Sequence, residues 1–390
     1  MMWTMAGIND FFIRVFFRHH ADTPVGGLNG TDGLYLYIWW VSVFFFVLLM
    51  AIMVYCMVKY RRRPGKPAPR SPSHHTALEI TWTVIPTLLL TVMFFWGFSA
   101  YLKIVISPPD AEQIDVTASK WSWAMEYPNG KTTTEFVTMG TNDNAPVFYV
   151  PAATPVQLRM TSTDVLHAFW VPDFRYKFDV VPNRYVPFSF TTLPLDHTGA
   201  DPEVKSFIDK DGTEVFYKDH WLFCAEYCGD QHSEMQAIIR VVDPAYYRQW
   251  RDTPSYDETT PPIDVGKLVW SGKGCATCHS VDGSAGTGPT WLNAWGSPHT
   301  FTNADPMTQA DIDADSLLWD NYIRESILVP GAKIREGFTN QMPSYDGRLT
   351  PVEIRGVIAY MRSLSDKNDG QEIQGFDELN SDGAEGEGGP

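Results

Sequence analysis

The first hundred residues alternate between one amphipathic stretch and two long apolar runs. Between 7 and 18, Ile8, Phe11, Phe12, Val15 and Phe16 recur at i, i+3, i+4, i+7 and i+8, with Asn9 or Asp10 placed to cap the start. This predicts a short helix, lying at a membrane surface or packed on a partner subunit. Residues 19–33 are rich in Gly, His, Asp and Thr and read as loop. Leu34 to Val58 is 25 residues without a charge, which spans about 37 Å as a helix. Trp82 to Leu102 is equally free of charge, and Tyr35, Tyr37, Trp39 and Tyr101 lie near the ends, where aromatic residues anchor a span. A transmembrane hairpin over 34–105 follows an N-terminal segment, 1–33.

From about Glu112 to Asp243 the period changes. Gln113–Thr117, Pro155–Met160, Val186–Phe190 and Gln236–Val242 alternate apolar and polar positions, separated by Gly, Pro and Asn. The pattern predicts an antiparallel β-sandwich or small barrel over 106–249. Trp250 to Pro262 is polar and Pro-rich, a linker. Residues 263–365 return to helical patterning. The clearest helix opens on Thr350-Pro-Val-Glu353, a capping box with Pro at the first helical position, and lines up Ile354, Val357, Ile358 and Met361. The acid-rich, Gly-rich segment 366–390 reads as a disordered tail.

Charge then orients the hairpin. Lys59, Arg61, Arg62, Arg63, Lys66 and Arg70 crowd the loop between the spans, and the positive-inside rule puts that loop in the cytoplasm. Both termini then face outward, on the periplasmic side of a bacterial inner membrane. The first 33 residues show no uncharged core or cleavage site of a signal peptide. Cys56 lies inside the first apolar run and reads as a small buried hydrophobe. The net charge of −16, from 30 basic and 46 acidic residues, argues against nucleic-acid binding.

Four of the five cysteines fall in two metal-type motifs. Cys224-Ala-Glu-Tyr-Cys228 is followed by His232 and Met235, and Asp164-Val-Leu-His167 offers another imidazole upstream. Thiolate, imidazole and thioether form a soft donor set of the kind copper prefers. A tetrahedral zinc site and a Cys224–Cys228 disulfide are the competing readings; Met235 and the β-context favour copper. Cys275-Ala-Thr-Cys278-His279 is the c-type haem attachment motif, with His279 the proximal iron ligand. Met342 and Met307 are the two candidates for the distal side.

These residues resemble the subunit II family of haem-copper oxidases. Its binuclear CuA motif, C-x-E-x-C-x3-H-x2-M, is filled by Cys224, Glu226, Cys228, His232 and Met235, and its D-V-x-H-x-F element by His167. The resemblance implies a cupredoxin-like domain. In it, Cys224 and Cys228 bridge two coppers, His167 and His232 cap one each, Met235 is a weak ligand, and Glu226 ligates through its carbonyl. It also implies that the Glu226 carboxylate serves a magnesium site shared with subunit I, beside Lys177 and Asp179. Pro182-Asn183-Arg184 departs from the family's Pro-Gly-Arg, but Asn tolerates the left-handed conformation. Trp121-Ser-Trp123 is similar to the family's aromatic segment, which makes Trp121 the point where electrons enter above the copper; Trp123 is as readily an ordinary sandwich aromatic. Glu79-Ile-Thr-Trp82-Thr-Val-Ile-Pro86 resembles an element whose Glu stands at the cytoplasmic mouth of a proton pathway into subunit I. His74 and His75 beside it need no function. Gly288-Pro289-Thr-Trp-Leu292, Asn321–Ile327 and Met342-Pro343 resemble class I cytochromes c, an all-α fold, and imply that Met342 is the distal ligand.

The expectation is therefore subunit II of a caa-type cytochrome c oxidase, a multidomain membrane protein. It would take electrons at a covalent haem c and pass them through CuA to subunit I, where oxygen is reduced to water with proton pumping. The linker would let the haem domain swing toward Trp121. Subunit III is an expected neighbour, and the donor is a quinol-oxidising complex or a soluble cytochrome. The alternative is the corresponding subunit of a CuA-containing nitric oxide reductase. A membrane-bound copper chaperone leaves Met235 and the haem motif unexplained. A free electron carrier leaves Glu79 and the two spans unexplained.

Overall fold

The computed structural model describes residues 5–17, 21–28, 30–65, 72–133, 135–139, 142–257 and 259–367. Helix α1, Met5–Phe17, forms as the aromatic stripe predicts. Its partner is the chain's own second helix, α2, Thr31–Lys59. Phe12 lies 5.3 Å from Trp39, Phe16 lies 5.2 Å from the same ring, and the Trp40 indole N–H donates to Asn9 Oδ1 at 3.0 Å.

Helix α2 and its neighbour α3, Thr76–Val105, are each long and apolar enough to cross a membrane. Helix α2 starts three residues before Leu34, because Asp32 in its first turn does not face water. Asp32 is fully buried and accepts from Arg175 Nε at 2.8 Å and from the Ala21 N–H at 3.0 Å. Arg175 belongs to the β-domain, and Ile104 near the end of α3 packs on that domain's core. Both helices thus meet the β-domain at the same end. The basic loop after Lys59 lies at the other, about 44 Å away at helical rise.

The β-domain holds β1 Glu112–Ser119, β2 Ser122–Glu126, β3 Phe136–Met139, β4 Asn142–Pro151, β5 Pro155–Ser162, β6 His167–Val171, β7 Tyr176–Val180, β8 Val186–Thr191, β9 Lys205–Ile208, β10 Glu214–Cys224 and β11 Gln236–Val242. One sheet runs β2-β1-β5-β8; the other runs β3-β4-β11-β10-β6-β7, with β9 added on β10. Alternation in β5 sends Val156, Leu158 and Met160 inward, each fully buried. They face Val147 and Ile239 in a core where each such side chain contributes about 1.5–3 kcal/mol. Most ladders are antiparallel as expected, but β1/β5 and β4/β11 pair in parallel. In both, the paired strands are far apart in sequence, so alternation along a strand says nothing of its neighbour's direction.

The linker needs correction. Helix α4, Pro244–Asp252, takes in Trp250. Trp250 stacks on Tyr149 at 4.7 Å and meets Tyr127 edge-on at 4.9 Å, so the segment to Asp252 belongs to the β-domain. At its end the Arg251 carbonyl accepts from Asn129, and beyond it the Thr253 carbonyl accepts from Lys131 and the Thr132 carbonyl from Ser255. The chain crosses to the last domain held against the surface.

That domain contains α5 Pro262–Gly272, α6 Gln309–Ala314, α7 Leu318–Leu328 and α8 Pro351–Ser363. Both halves of the Thr350/Glu353 capping box form. Helices α5 and α8 cross at Gly266 and Gly356; a Cβ on Gly266 would lie 2.0 Å from the Gly356 carbonyl oxygen, so only glycine permits this approach. The acidic tail beyond Lys367 lies outside the described residues.

Candidate metal centre and haem cleft

The end of β10 carries Cys224, and β6 pairs with it so that Phe169 stands opposite Cys224. The Ala225 N–H donates to the Ala168 carbonyl at 3.0 Å, which brings His167 across to the cysteines. The chain then loops through Cys228 and a short 3-10 turn, His232–Glu234, before β11. Cys224 Sγ lies 3.8 Å from His167 Nδ1, 3.9 Å from Cys228 Sγ and 3.2 Å from the Glu226 carbonyl. Cys228 Sγ lies 3.4 Å from His232 Nδ1 and 3.9 Å from Met235 Sδ. Both cysteines are free thiols. His167, Cys224, Cys228 and Met235 are buried, and His232 is half-buried. Two sulfurs, two imidazole Nδ1 atoms, a thioether and a carbonyl converge. The set exceeds tetrahedral zinc and fits a soft copper centre. The two thiols titrate as a pair. The bond from Cys228 pulls Cys224 down towards the thiolate against the penalty of burial, and the Cys224 sulfur with burial pushes Cys228 up.

Sequence reasoning passed over Asp164, although it stands three residues before His167 in the same string. Its Oδ1 accepts from His167 Nε2–H at 2.9 Å and from the Val165 N–H at 2.6 Å; its Oδ2 accepts from the Lys120 N–H at 2.7 Å. The carboxylate fixes the His167 tautomer and turns Nδ1 toward sulfur. Burial raises the Asp164 pKa, but these bonds outweigh it and hold the group below its ordinary range. Burial lowers His167, but the bond to Asp164 and the neighbouring Cys224 sulfur outweigh it and raise the imidazole.

Lys120 leads into Trp121, which is 3% exposed. A Cβ on Gly229, in the ligand loop, would sit 3.1 Å from the Trp121 ring. Trp121 therefore lies directly on the metal loop. Trp123 packs as a core ring, 5.5 Å from Phe169, and donates its indole N–H to the Met235 carbonyl at 3.4 Å.

After α5 a 3-10 turn, Cys275–Thr277, leads to Cys278 and His279. His279 Nδ1–H donates to the Pro289 carbonyl at 2.8 Å, leaving Nε2 as the lone-pair nitrogen. Gly288 makes this possible, because a Cβ there would lie 2.7 Å from His279 Cε1. A cleft of about 1030 Å³, counting its open mouth, is lined by Cys275, Cys278, His279, Trp291, Met342 and Tyr345. Burial lowers the His279 pKa, so the ring is kept neutral, the form that ligates iron. Burial also pushes Cys275 up to about 12 and Cys278 up to about 11, so both are kept as neutral thiols. The cleft fits a covalently held haem. Met342 lines it; Met307 does not, and is instead tied to His299 by paired backbone bonds of 2.8 and 2.9 Å.

The two sites adjoin. Ser119 and Lys120 of the β-domain form part of the haem-cleft wall. Gln231 donates to Thr287 Oγ1 at 2.8 Å, and Lys273 lies 3.5 Å from Glu126.

Other predicted residues stand apart. Glu79 lies in the first turn of α3, where its Oε1 accepts from the His75 N–H at 3.0 Å while His75 Nδ1 accepts from the Leu78 N–H at 3.2 Å. Glu226, Lys177 and Asp179 have exposed side chains, and among the described residues Glu226 joins no metal-type cluster. Asn183 takes φ 57°, the left-handed conformation its place in the turn requires. A second metal-type group, Asp22, Asp173 and His220, was not read from sequence. Lys218 Nζ lies 3.0 Å from Asp22 Oδ1 and supplies a positive charge there, so the group fastens the N-terminal segment to the β-domain.

A membrane hairpin carrying a soft-ligand metal cluster, with a C-x-x-C-H domain docked beside it, defines a membrane-anchored electron-transfer protein. Three family models match in order: Cytochrome C oxidase subunit II, transmembrane domain, over 17–100; Cytochrome C oxidase subunit II, periplasmic domain, over 113–242; and Cytochrome c over 263–365. The chain belongs to the cytochrome c oxidase subunit II family and carries a cytochrome c domain at its C-terminal side. Cytochrome c oxidase subunit 2 of Alkalihalophilus pseudofirmus is 27% identical over 329 residues, 82% of each chain. The same subunit of Mycobacterium tuberculosis is 27% identical over 277 residues, 57% of this chain and 72% of its own. The periplasmic domain of subunit II of Bradyrhizobium japonicum cytochrome oxidase is 26% identical, with a TM-score of 0.28, covering 38% of this chain and 95% of that one. The chain is thus a membrane subunit of a haem-copper terminal oxidase, an oxidoreductase in which subunit II works with subunit I. Its domains imply CuA and haem c.

Proposed function

We propose that this chain is subunit II of a caa-type cytochrome c oxidase, taking electrons at its own haem c and delivering them through CuA to subunit I for reduction of oxygen to water with proton pumping. Cys275 and Cys278 would hold the haem, with His279 and Met342 as axial ligands. Cys224, Cys228, His167, His232, Met235 and the Glu226 carbonyl would hold the copper pair. When bound, these groups supply one-electron redox chemistry in cages that change little on transfer. The chain's own part is to fix their ligands, exclude water and bridge the gap.

The observation that carries the reading is the shared wall. Ser119 and Lys120 line the haem cleft, and the next residue, Trp121, rests on the ligand loop at Gly229. No swing of the haem domain is needed. The pinned linker supports a haem domain working in place.

The far-end basic loop supports a bacterial inner-membrane location with both termini outside. Glu79, at that far end, would mark the cytoplasmic mouth of the proton pathway. The Glu226 carboxylate, exposed beside the metal loop, would complete a magnesium site only with ligands from subunit I. Subunit III and a quinol-oxidising complex or soluble cytochrome complete the proposed assembly.

The test is isolation of the intact complex with metal and haem analysis of each subunit. Two coppers and one haem c on this chain, with oxygen turnover, are expected. Turnover of nitric oxide in place of oxygen would transfer the chain to the reductase reading. His232→Ala should abolish the CuA absorption and leave haem c reducible; a retained copper spectrum would overturn the ligand set.

A further inference from the structure

Arg335, which lines the haem cleft, has no ion-pair partner among the described residues. Residues 334–336 run against 300–302: the Thr302 N–H donates to the Ile334 carbonyl at 2.9 Å, and the Glu336 N–H to the Thr300 carbonyl at 3.0 Å. Phe301 and Arg335 stand opposite each other in this short pairing, and Arg335 lines both the main cleft and the inner recess behind it. Two neighbouring cations are matched. Lys333 pairs with Glu325 at 2.7 Å and Arg362 with Asp320 at 2.6 Å. Among the described residues, the Arg335 guanidinium has neither a carboxylate nor a hydrogen-bond acceptor.

Among the described residues, no carboxylate is within ion-pair distance of it, and the neighbouring Glu325 is taken by Lys333. Tyr322, from α7, and His299, from the adjoining loop, line the same inner recess. His299 is 5% exposed and gives its Nδ1–H to the Pro298 carbonyl at 2.7 Å. Burial pushes His299 down to about 4, so this ring is neutral at physiological pH. Tyr322 is pushed up by burial and is neutral too. Burial lowers Arg335 itself, the mark of a desolvated guanidinium without an ion partner. A charge in such a place costs free energy unless an anion joins it.

We propose that Arg335 binds a propionate carboxylate of the haem, through the paired N–H donors of its guanidinium. The assignment rests on the haem c reading of the cleft. The chemistry matches: haem is an apolar disc carrying two carboxylates, and guanidinium is the side chain that takes a carboxylate bidentately. The pair neutralises a negative charge close to the iron, which disfavours the ferric state and raises the potential. It also keeps that propionate ionised through the physiological range.

The experiment is a redox titration of haem c in the full-length chain within its isolated complex, for the native sequence, Arg335→Gln and Arg335→Lys. Arg335→Gln should shift the equilibrium roughly tenfold toward the oxidised haem, about 59 mV for one electron. Its midpoint should also become pH-dependent as the freed propionate titrates. Arg335→Lys, keeping charge but losing the fork, should fall between. An unshifted midpoint with a flat pH profile in Arg335→Gln, with haem still attached, overturns the proposal. So does an equal fall in both variants with flat profiles, which would mean a packing role. Absence of covalent haem from the native chain would instead sink the haem reading. Redox-difference infrared spectra of the native complex with isotope-labelled arginine test the pairing without substitution. They should show an arginine-sensitive carboxylate band, and its absence overturns the assignment.

Discussion

Asp164→Asn puts the metal centre's supporting shell to a quantitative test. Asp164 uses both oxygens as acceptors, from His167 Nε2–H and Val165 N–H on one side and from Lys120 N–H on the other. Asparagine has one acceptor oxygen, and its amide nitrogen must face either His167 or Lys120. A donor then meets a donor at a side chain only 17% exposed. Stranding one N–H in such a place costs about 1–3 kcal/mol. If the loss falls on His167, the imidazole no longer holds Nδ1 toward sulfur, and copper affinity should drop about 10–100-fold, or about 1.4–2.8 kcal/mol. If it falls on Lys120, the Trp121 segment loosens, and electron transfer between haem and copper slows at unchanged affinity. Competitive copper titration against a chelator, with flash-induced electron-transfer rates on the loaded complex, separates the two. Native values in both assays would refute the argument that Asp164 couples the ligand to the aromatic bridge.

Asp32→Ala should cost about 3–5 kcal/mol, because it leaves Arg175, 7% exposed, without its buried partner; an unchanged thermal unfolding profile in detergent would contradict this. Glu79→Gln should slow steady-state turnover more than electron transfer from haem c to copper, and equal effects on both would remove the proton role. Acid should weaken the native β-domain through Asp164. Its native pKa is depressed, so its contribution is present above the unfolded value of about 4 and is lost as pH falls through the native value. Thermal midpoints measured from pH 7 downward should therefore fall more shallowly at the acid end in Asp164→Asn, and parallel curves would argue against it.

Much of the candidate site was legible because its ligands are local. Cys224, Cys228, His232 and Met235 lie within one loop, and Cys275, Cys278 and His279 within one turn, so spacing alone exposes the chemistry. The hairpin was legible for the same reason, since absence of charge over a bilayer's length needs no tertiary context. The Thr350/Glu353 cap is likewise a matter of three residues. What lay beyond reach depends on partners distant in the chain. Alternation in β1 and β5 marks strands but not their parallel pairing. Trp250 reads as linker until Tyr149 and Tyr127 are seen beneath it.

The sequence by itself therefore determined the kinds of site this chain holds: a soft-ligand metal loop, a haem attachment turn and two membrane spans, each written in neighbouring residues whose side chains share a face or a turn. Only the tertiary structure decided how they work together. It brought His167 across from β6 to Cys224 at the end of β10 and Cys228 in the loop after it, lined the cleft with Met342 and left Met307 to His299, and set Lys120 in the haem-cleft wall with Trp121 on the copper loop. The reason is geometric. Periodicity encodes which face of an element is buried, but contacts between residues tens of positions apart are chosen by sheet order and by domain docking, which no local pattern records.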